Sequence, residues 1–368
     1  MATTQLSKTE IIRPPASEQL GFIGWCRRNL FNSPVSSVLT VLIALLLWYT
    51  VVPIVSWAIV NATFVAETKE QCTAGGACWA VIGVRFRQYL YGLYPDAEQW
   101  RIQLAILILI LAMVPLFLKA EFNKLLYAIG LLVVYPIVAY VLFIGGWFGL
   151  TIVETPLWGG LFLTLVIAGV GIIASLPLGV LLALGRRSEL PVIKSLSVAF
   201  IEIVRGVPLV TVLFMASVML PLFLPEGVTF DKLLRALVGV ALFSSAYMAE
   251  VVRGGLQALP KGQYEAAAAV GLGYWKMMGL VVLPQALKLV IPGIVNTFIG
   301  LFKDTSLVVI IGLYDLLGMS QLDIKDPNWL GLATESYLFA AFGFFVFCFG
   351  MSRYSMALER KLSRGHSR

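Results

Sequence analysis

Long apolar segments without a charged residue constrain this chain more than any other feature. No charged side chain occurs between Arg28 and Glu67. The same is true from Lys124 to Glu154 and from there to Arg186. About 20 apolar residues span the hydrocarbon core of a bilayer, and lipid offers no partner to exposed backbone groups, so such segments must be helical. With 59% hydrophobic and 13% charged residues, the chain is predicted to be an all-α integral membrane protein.

About eight transmembrane helices would account for these segments. The first contains Pro53, which membrane helices tolerate better than soluble ones do. The sixth and seventh have the shortest charge-free stretches, 14 residues each, between Arg235 and Glu250 and between Lys288 and Lys303. We predict spans at residues 36–60, 102–118, 125–144, 157–185, 196–223, 233–256, 281–302 and 336–357.

Lys and Arg in the short loops predict how the chain lies in the membrane. Basic residues recur in the N-terminal segment, in alternate loops and in the C-terminal tail, whereas loop 145–156 has none. We therefore expect both termini in the cytoplasm and the long loop 61–101 outside. The chain then divides into a cytoplasmic segment with an interfacial helix, a three-helix membrane block, a larger membrane domain and a basic tail. These parts are residues 1–35, 36–150, 157–358 and 359–368.

Several kinds of chemistry are excluded by what the sequence lacks. The only histidine, His366, lies in the basic tail, so neither a histidine-based triad nor a histidine-ligated metal site is expected within the membrane. No G-x-x-x-x-G-K-[ST] segment is present to bind ATP, and no paired carboxylates suggest an enzyme. We interpret the net charge of +7 as setting membrane topology and expect no nucleic acid partner.

The four cysteines are too scattered to form a zinc site. Cys72 and Cys78 share the polar loop 61–101, and they can form a local disulfide if that loop faces an oxidising compartment. Two free thiols are an equally good interpretation of the same spacing.

The stretch between the sixth and seventh spans, residues 260–284, carries the most information. Pro260 suits a helix start, Glu265 suits the N-terminal end of a helix dipole, and Gly271 suits a left-handed C-cap. These features predict a short helix on the cytoplasmic membrane surface, with a small-residue face that lets another protein approach closely. An interfacial helix without a partner is the alternative. The predicted face comprises Ala266, Ala267, Ala268 and Ala269.

This stretch resembles the cytoplasmic signature of the permeases of binding-protein-dependent ABC importers. That signature is Glu-Ala-Ala, three residues, Gly, nine residues, Ile, one residue, Leu-Pro, and Val281 stands here in place of Ile. The resemblance implies that the helix couples this chain to a separate nucleotide-binding ATPase subunit. ATP and Mg would bind to that partner, and this chain would bind no cofactor. The matching residues, and so the implied coupling residues, are Glu265, Ala266, Ala267, Gly271, Leu283 and Pro284.

Residues 202–209, 246–255 and 303–307 resemble polar amino acid permeases of the histidine/glutamine type, with Val207 in place of the usual Thr. The resemblance covers 157–358 and implies a five-helix type I ABC importer permease core, to which three N-terminal helices are added. The whole chain looks like the longer M-type permease of general L-amino acid uptake systems of Gram-negative bacteria. This likeness implies the bacterial inner membrane, broad uptake of L-amino acids, a periplasmic amino acid binding protein and a second homologous permease in a heterodimer.

Ionisable residues in or near the spans are candidates for a substrate pathway, because placing them in lipid is costly. An amino acid is zwitterionic, and Lys303 with Asp304 could offer both charges at the outer end of the seventh span. Interhelical pairing or snorkelling explains them equally well. For Glu202 and Arg205, spaced i to i+3, we favour a structural ion pair. The candidate pathway residues are Glu250, Lys303, Asp304, Thr305 and Ser306.

Three classes of function compete for this sequence. A non-enzymatic permease subunit would alternate access while a partner hydrolyses ATP. An ion-gradient-driven secondary amino acid transporter would work without a partner, and we find no internal repeat of the kind common in that class. A membrane enzyme is disfavoured because catalytic clusters are absent. We favour the permease subunit.

Overall fold

The structure is a computed structural model that describes residues 21–118, 123–225, 227 and 230–363. His366 and residues 1–20 of the predicted cytoplasmic segment lie outside this range. The helices are α1 Phe22–Asn29, α2 Pro34–Val55, α3 Ala80–Tyr91, α4 Gln99–Phe117, α5 Lys124–Ile144, α6 Gly160–Arg186, α7 Pro191–Gly206, α8 Leu209–Phe214, α9 Lys232–Ala258, α10 Lys261–Ala269, α11 Tyr274–Met277, α12 Leu283–Leu289, α13 Ile291–Asp304, α14 Leu316–Asp323 and α15 Ala333–Ser363.

Short π and 3-10 turns extend or join these helices. A two-residue strand, β1 Tyr314–Asp315, pairs with Gly159 and Gly160 at the start of α6. The π turns are Ser56–Val60, Met215–Met219 and Met278–Val282. The 3-10 turns are Lys69–Gln71, Asp96–Glu98, Thr155–Leu157, Leu220–Phe223, Thr305–Ile311 and Pro327–Trp329.

Helices long and apolar enough to cross a membrane confirm the predicted membrane protein. In the described part of the chain, 7 helices qualify on their own, and a bent pair makes up to 8. The 7 helices are Pro34–Val60, Asp96–Leu116, Leu126–Ile144, Gly160–Arg186, Lys232–Ala258, Ile291–Ile311 and Ala333–Leu362.

The predicted fifth span, 196–223, is not a continuous helix. The segments Pro191–Gly206 and Leu209–Phe223 meet at 104°. Between them Val207 and Pro208 are extended, with ψ of 137° and 142°. Proline has no N–H for the helix and disfavours helical geometry in the residue before it, so the sequence Val-Pro breaks the span.

The seventh span begins later than the predicted range 281–302. Its observed bounds are Ile291–Ile311, because the short helix α12 ends at Leu289 and α13 starts again with Pro292 in its first turn. Proline is favourable there, since that position needs no N–H. As a consequence, residues 303–306 lie within the span and not at its outer end, where we had predicted them.

The described chain forms two compact units, each of which has its own organisation. The first comprises residues 21–66 and 70–79, and the second comprises residues 67–69 and 80–363. In the first unit α1 precedes α2, and no residue of α2 is buried within the described chain.

A small loop at the end of α2 is fastened by backbone hydrogen bonds and a disulfide. The N–H of Ala77 donates to Trp57 O, and the N–H of Thr63 donates to Ala77 O, each at 2.8 Å. Cys72 and Cys78 are joined in a disulfide, with their Cα atoms 5.7 Å apart. The structure therefore adopts the bonded one of the two arrangements that the spacing left open.

The second unit is organised around the packing of α6 on α9. A Cβ atom at Gly179 of α6 would lie 2.7 Å from the Cβ of Met248 on α9, and one at Gly171 would lie 3.1 Å from Val240. Small residues let membrane helices approach closely, since lipid provides no hydrophobic force between helices and packing must hold them together. Val240 and Met248 are buried at this contact.

The hairpin of α4 and α5 belongs to the same unit as α6. Tyr94 donates its hydroxyl to Phe143 O at 2.8 Å, and Phe143 stacks edge-on against Phe162 of α6 at 4.8 Å. The guanidinium of Arg101, only 1% exposed, pairs with Glu98 at 2.5 Å. The aromatic contact thus joins the α4–α5 hairpin to α6, while the polar contacts lie within the hairpin and the segment before it.

The close approach of α6 and α9 can be tested with Gly179→Val. The added side chain meets the backbone-proximal atoms of Met248, so we expect a loss of about 1–3 kcal/mol of stability. The melting temperature of the detergent-purified protein measures the loss. Gly169→Val on the same helix is the matched control, because nothing lies within 4 Å of a Cβ there. Equal melting temperatures for the two variants would contradict the packing described.

Candidate functional site

The surface helix α10 begins and ends as the sequence predicts. Pro260 occupies the N-cap position with φ of −59° and ψ of 140°. At the other end Gly271 has φ of 76°, and the N–H of Leu272 donates to Ala267 O at 3.2 Å. A left-handed glycine followed by such a bond closes a helix and satisfies its last carbonyls. The helix is therefore a defined element of nine residues.

The exposed side of α10 differs from the predicted four-alanine face. Ala267 is 4% exposed and faces the interior, whereas Ala266, Ala268, Ala269 and Glu265 are exposed. Successive helical residues are about 100° apart, so four in a row cannot share one face. The surface open to a partner thus consists of small side chains with Glu265 among them.

The two ends of the 260–284 signature are brought together in space. Gln285 of α12 donates to Gln263 Oε1 of α10 at 3.0 Å and to Val281 O at 2.9 Å. A Cβ atom on Gly255 of α9 would lie 2.6 Å from Ala286 O of α12. Leu283 and Pro284 begin α12 and so lie where this second helix leaves the surface segment.

Glu250 of α9 is the centre of a charge cluster. Its carboxylate accepts hydrogen bonds from Arg186 of α6 at 2.9 Å and from Arg253 at 2.6 Å. Arg205 of α7 lies 3.7 Å from it, and the side chain of Glu250 is only 14% exposed. A carboxylate so surrounded is a shared counter-ion that joins three helices. Among the described residues, none of 303–306 takes part in this cluster.

The predicted ion pair between Glu202 and Arg205 is not formed. Glu202 lies 3.4 Å from Arg186 of α6, and Arg205 turns to Glu250 of α9. The guanidinium of Arg205 also lies 5.4 Å from the ring centre of Tyr247. Both residues therefore make contacts between helices, because neighbouring helices offer partners that spacing along α7 does not reveal.

Arg187, the C-cap of α6, contacts the surface helix. Its guanidinium donates to Tyr264 Oη at 2.9 Å and to Leu256 O at 3.3 Å. A cavity of about 420 Å³ lies beside this contact. It is lined by Arg187, Leu256, Gln257, Leu259, Lys261, Tyr264 and Glu265.

Lys303 and Ser306, two residues of the seventh span, line a second cavity. It has a volume of about 370 Å³, and its walls come from α13, α14 and α15. The Ser306 hydroxyl donates to Lys303 O at 2.8 Å, while Thr305 is 1% exposed and donates to Phe302 O. Of the candidate pathway residues, only Lys303 and Ser306 line this cavity. Its lining is Lys303, Ser306, Leu317, Tyr337, Ala341 and Phe344.

Sequence reasoning missed the part that Arg186, Arg187 and Tyr264 play at this site. The two arginines were assigned only to membrane topology, and Tyr264 was not singled out at all. Their position next to the Glu265 helix becomes visible only in three dimensions. The sequence does contain one usable signal, two adjacent arginines at the end of a long apolar helix. One arginine would be enough to anchor that end at the membrane surface, so the second suggests a further role.

Comparison with known proteins adds a family to this geometry. The family model described as "Binding-protein-dependent transport system inner membrane component" matches residues 175–364. The matched range contains α7 to α15, and so includes the surface helix, the Glu250 cluster and the Lys303 cavity.

Relatives match over almost the whole chain. The inner membrane amino-acid ABC transporter permease protein YhdY of Escherichia coli K12 is 56% identical over 355 residues, which are 96% of this chain and 97% of the relative. The glutamate/glutamine/aspartate/asparagine transport system permease protein BztC of Rhodobacter capsulatus is 41% identical, with 100% of both chains covered. A solved structure described as "Crystal structure of an amino acid ABC transporter with histidines" contains a chain that is 31% identical to this one, with a TM-score of 0.49. The match covers 55% of this chain and 92% of that chain.

The shared counter-ion role of Glu250 can be tested by Glu250→Leu. The change removes the acceptor that three partly exposed arginines share, so we expect a loss of about 1–3 kcal/mol in stability. Glu202→Leu is the matched control, because that side chain is 63% exposed and an exposed pair contributes about 1 kcal/mol or less. Melting curves of the purified complex compare the two. An equally small effect of both variants would show that Glu250 does not hold the helices together.

Proposed function

This chain belongs to the amino-acid permeases of the binding-protein-dependent ABC transporter family, and we propose how it works. As a multi-pass subunit of the inner membrane, it carries L-amino acids, of more than one kind, by alternating access. A separate ATPase drives this cycle through residues 260–284. The chain itself is not an enzyme. Both termini lie in the cytoplasm in this proposal, on the side where α10 meets the ATPase.

The observation that carries the proposal is the construction of α10. Its inner side is fastened, through buried Ala267 and the bond between Gln263 and Gln285. Its outer side presents small residues and the carboxylate of Glu265, which is exposed. A helix that is fixed to its own chain on one side and exposed on the other can bind a second subunit and pass its movement on to the chain. In our proposal this subunit is the nucleotide-binding ATPase, and α10 binds in a groove on its surface, as the family resemblance implies.

The energy source must lie outside this chain, because its sequence contains no P-loop. ATP and Mg therefore bind to the partner ATPase in our proposal, and no cofactor binds here. An ion-gradient-driven secondary transporter remains the alternative. The exposed Glu265 helix favours the permease, since a self-sufficient transporter has no need for such a docking surface.

We place the substrate pathway beside Lys303 and Ser306. A lysine inside a span is costly, so its presence there indicates a functional site. The cavity next to it, about 370 Å³, can hold a small molecule. The ammonium of Lys303 suits the carboxylate of an amino acid, and the Ser306 hydroxyl is a further polar group in the lining. The lining comes from α13, α14 and α15 alone, so a complete passage needs another wall. We assign that wall to a second homologous permease in a heterodimer, which an amino acid binding protein loads from the periplasm.

The coupling role of Glu265 is tested by Glu265→Arg in the full complex. Reversing the charge on the docking face should release the ATPase subunit and lower uptake about tenfold or more, since one mispaired charge at an interface costs several kcal/mol. Co-purification of the ATPase and uptake into proteoliposomes are the readouts. Glu189→Arg makes the same charge change in the exposed loop between α6 and α7 and should have little effect. Normal association and uptake with Glu265→Arg would refute the docking role.

The pathway role of Lys303 is tested by Lys303→Met, which preserves the length of the side chain. Loss of a charged partner should raise the half-saturating concentration for uptake or lower its maximal rate by about 10-fold or more. Lys288→Met, at the exposed end of α12, is the matched control. Uptake kinetics equal to those of the control would move the pathway away from Lys303.

A further inference from the structure

Two adjacent arginines connect the surface helix with three spanning helices. Arg187 donates to Tyr264 Oη of α10 at 2.9 Å, and its guanidinium lies 5.4 Å from the centre of the Tyr264 ring. Arg186, the residue before it, donates to Glu250 of α9 at 2.9 Å. Glu250 in turn lies 3.7 Å from Arg205 of α7. Polar contacts thus link α10 to Arg187 at the end of α6, and the covalently adjacent Arg186 links the same end of α6 to α9 and, through Glu250, to α7.

Arg187 also fixes the geometry at the α10 end of this chain. Both its guanidinium and the Tyr264 hydroxyl donate to the same carbonyl, Leu256 O, at 3.3 and 3.1 Å. Leu256 is 1% exposed, so the three groups form a compact triangle near the end of α9. In the described part of the chain, no other side chain of α6 or its cap hydrogen-bonds to α10.

We propose that Arg187 and Arg186 are positioning residues that transmit movement of α10 to α6, α7 and α9 during transport. The inference rests on the proposed function, because it requires an ATPase that moves α10. When α10 is displaced, the Tyr264 contact pulls the end of α6, and the Arg186–Glu250 contact keeps α9 in step. Charge-assisted hydrogen bonds are short and strong enough to carry such a displacement.

The test is made in the full complex in proteoliposomes, with uptake and ATP hydrolysis measured in the same sample. Arg187→Gln removes the cation, and Tyr264→Phe keeps the ring but removes the hydroxyl. We expect uptake per ATP hydrolysed to fall about fivefold or more in each variant, as for a typical coupling between two sites. The ATPase subunit should stay bound. The double variant should be no worse than Arg187→Gln alone, because both changes cut the same link.

Matched controls separate this role from general damage. Tyr354→Phe removes an exposed hydroxyl on α15 that makes no hydrogen bond within the described chain, and Lys194→Gln removes an exposed cation on α7. Both should keep the wild-type ratio of uptake to hydrolysis. The proposal is overturned if Arg187→Gln keeps that ratio, if uptake and hydrolysis fall together in proportion, or if the two changes multiply in the double variant.

The outcomes also distinguish this inference from the proposed function. If the wild-type complex shows no uptake coupled to hydrolysis, the proposed function itself fails. If the wild type is coupled and Glu265→Arg abolishes transport, but Arg187→Gln keeps the ratio, only the role of the arginines is wrong.

Discussion

The close packing of α6 against α9 is the constraint on which the larger unit depends. A bilayer supplies no hydrophobic force between helices, so they associate through van der Waals contact and polar bonds. Gly171 and Gly179 allow α9 to approach within contact distance of the α6 backbone. This approach brings the end of α6 beside Glu250, and the end of α9 leads directly into α10. The position of the surface helix therefore follows from the packing of two membrane spans.

Polar contacts and close packing hold different parts of this unit together. Farther from α10, aromatic side chains hold the α4–α5 hairpin to α6. Near α10, Glu250 and its arginines join helices α6, α7 and α9. A cluster of ion pairs can change partners over small displacements, whereas a close-packed contact cannot. Charged contacts next to α10, with close packing elsewhere, are the arrangement that our proposal of an ATPase-driven subunit requires.

Much of this arrangement could be predicted from the sequence, because each membrane span must satisfy its own backbone. The apolar segments indicated the spans, and Gly271 indicated the end of α10. The break at Pro208 and the late start of the span at Ile291 were missed, because proline is tolerated in membrane helices and hydropathy does not register a bend. The partners of Glu202 and Arg205 were also missed. Ion pairs between helices depend on how the helices pack, which no spacing along one helix reports.

The sequence likewise predicted one part of the candidate site and missed another. The 260–284 signature is contiguous, so its spacing can be recognised in a single sequence, and it predicted the helix α10 that the structure shows. Arg187 and Tyr264 are far apart in the sequence and carry no such pattern. Likewise, Lys303 was expected at the end of a span, since the start of that span had been placed too early.

One measurement tests the central claim, which is that this permease draws its energy from another chain. The complex is purified through a tag on this chain and reconstituted in proteoliposomes, with and without its ATPase subunit, and loaded amino acid binding protein is supplied outside. Our account predicts uptake that requires both the ATPase and ATP, and that is indifferent to proton and sodium gradients. Uptake that persists without the ATPase and follows an ion gradient would contradict it.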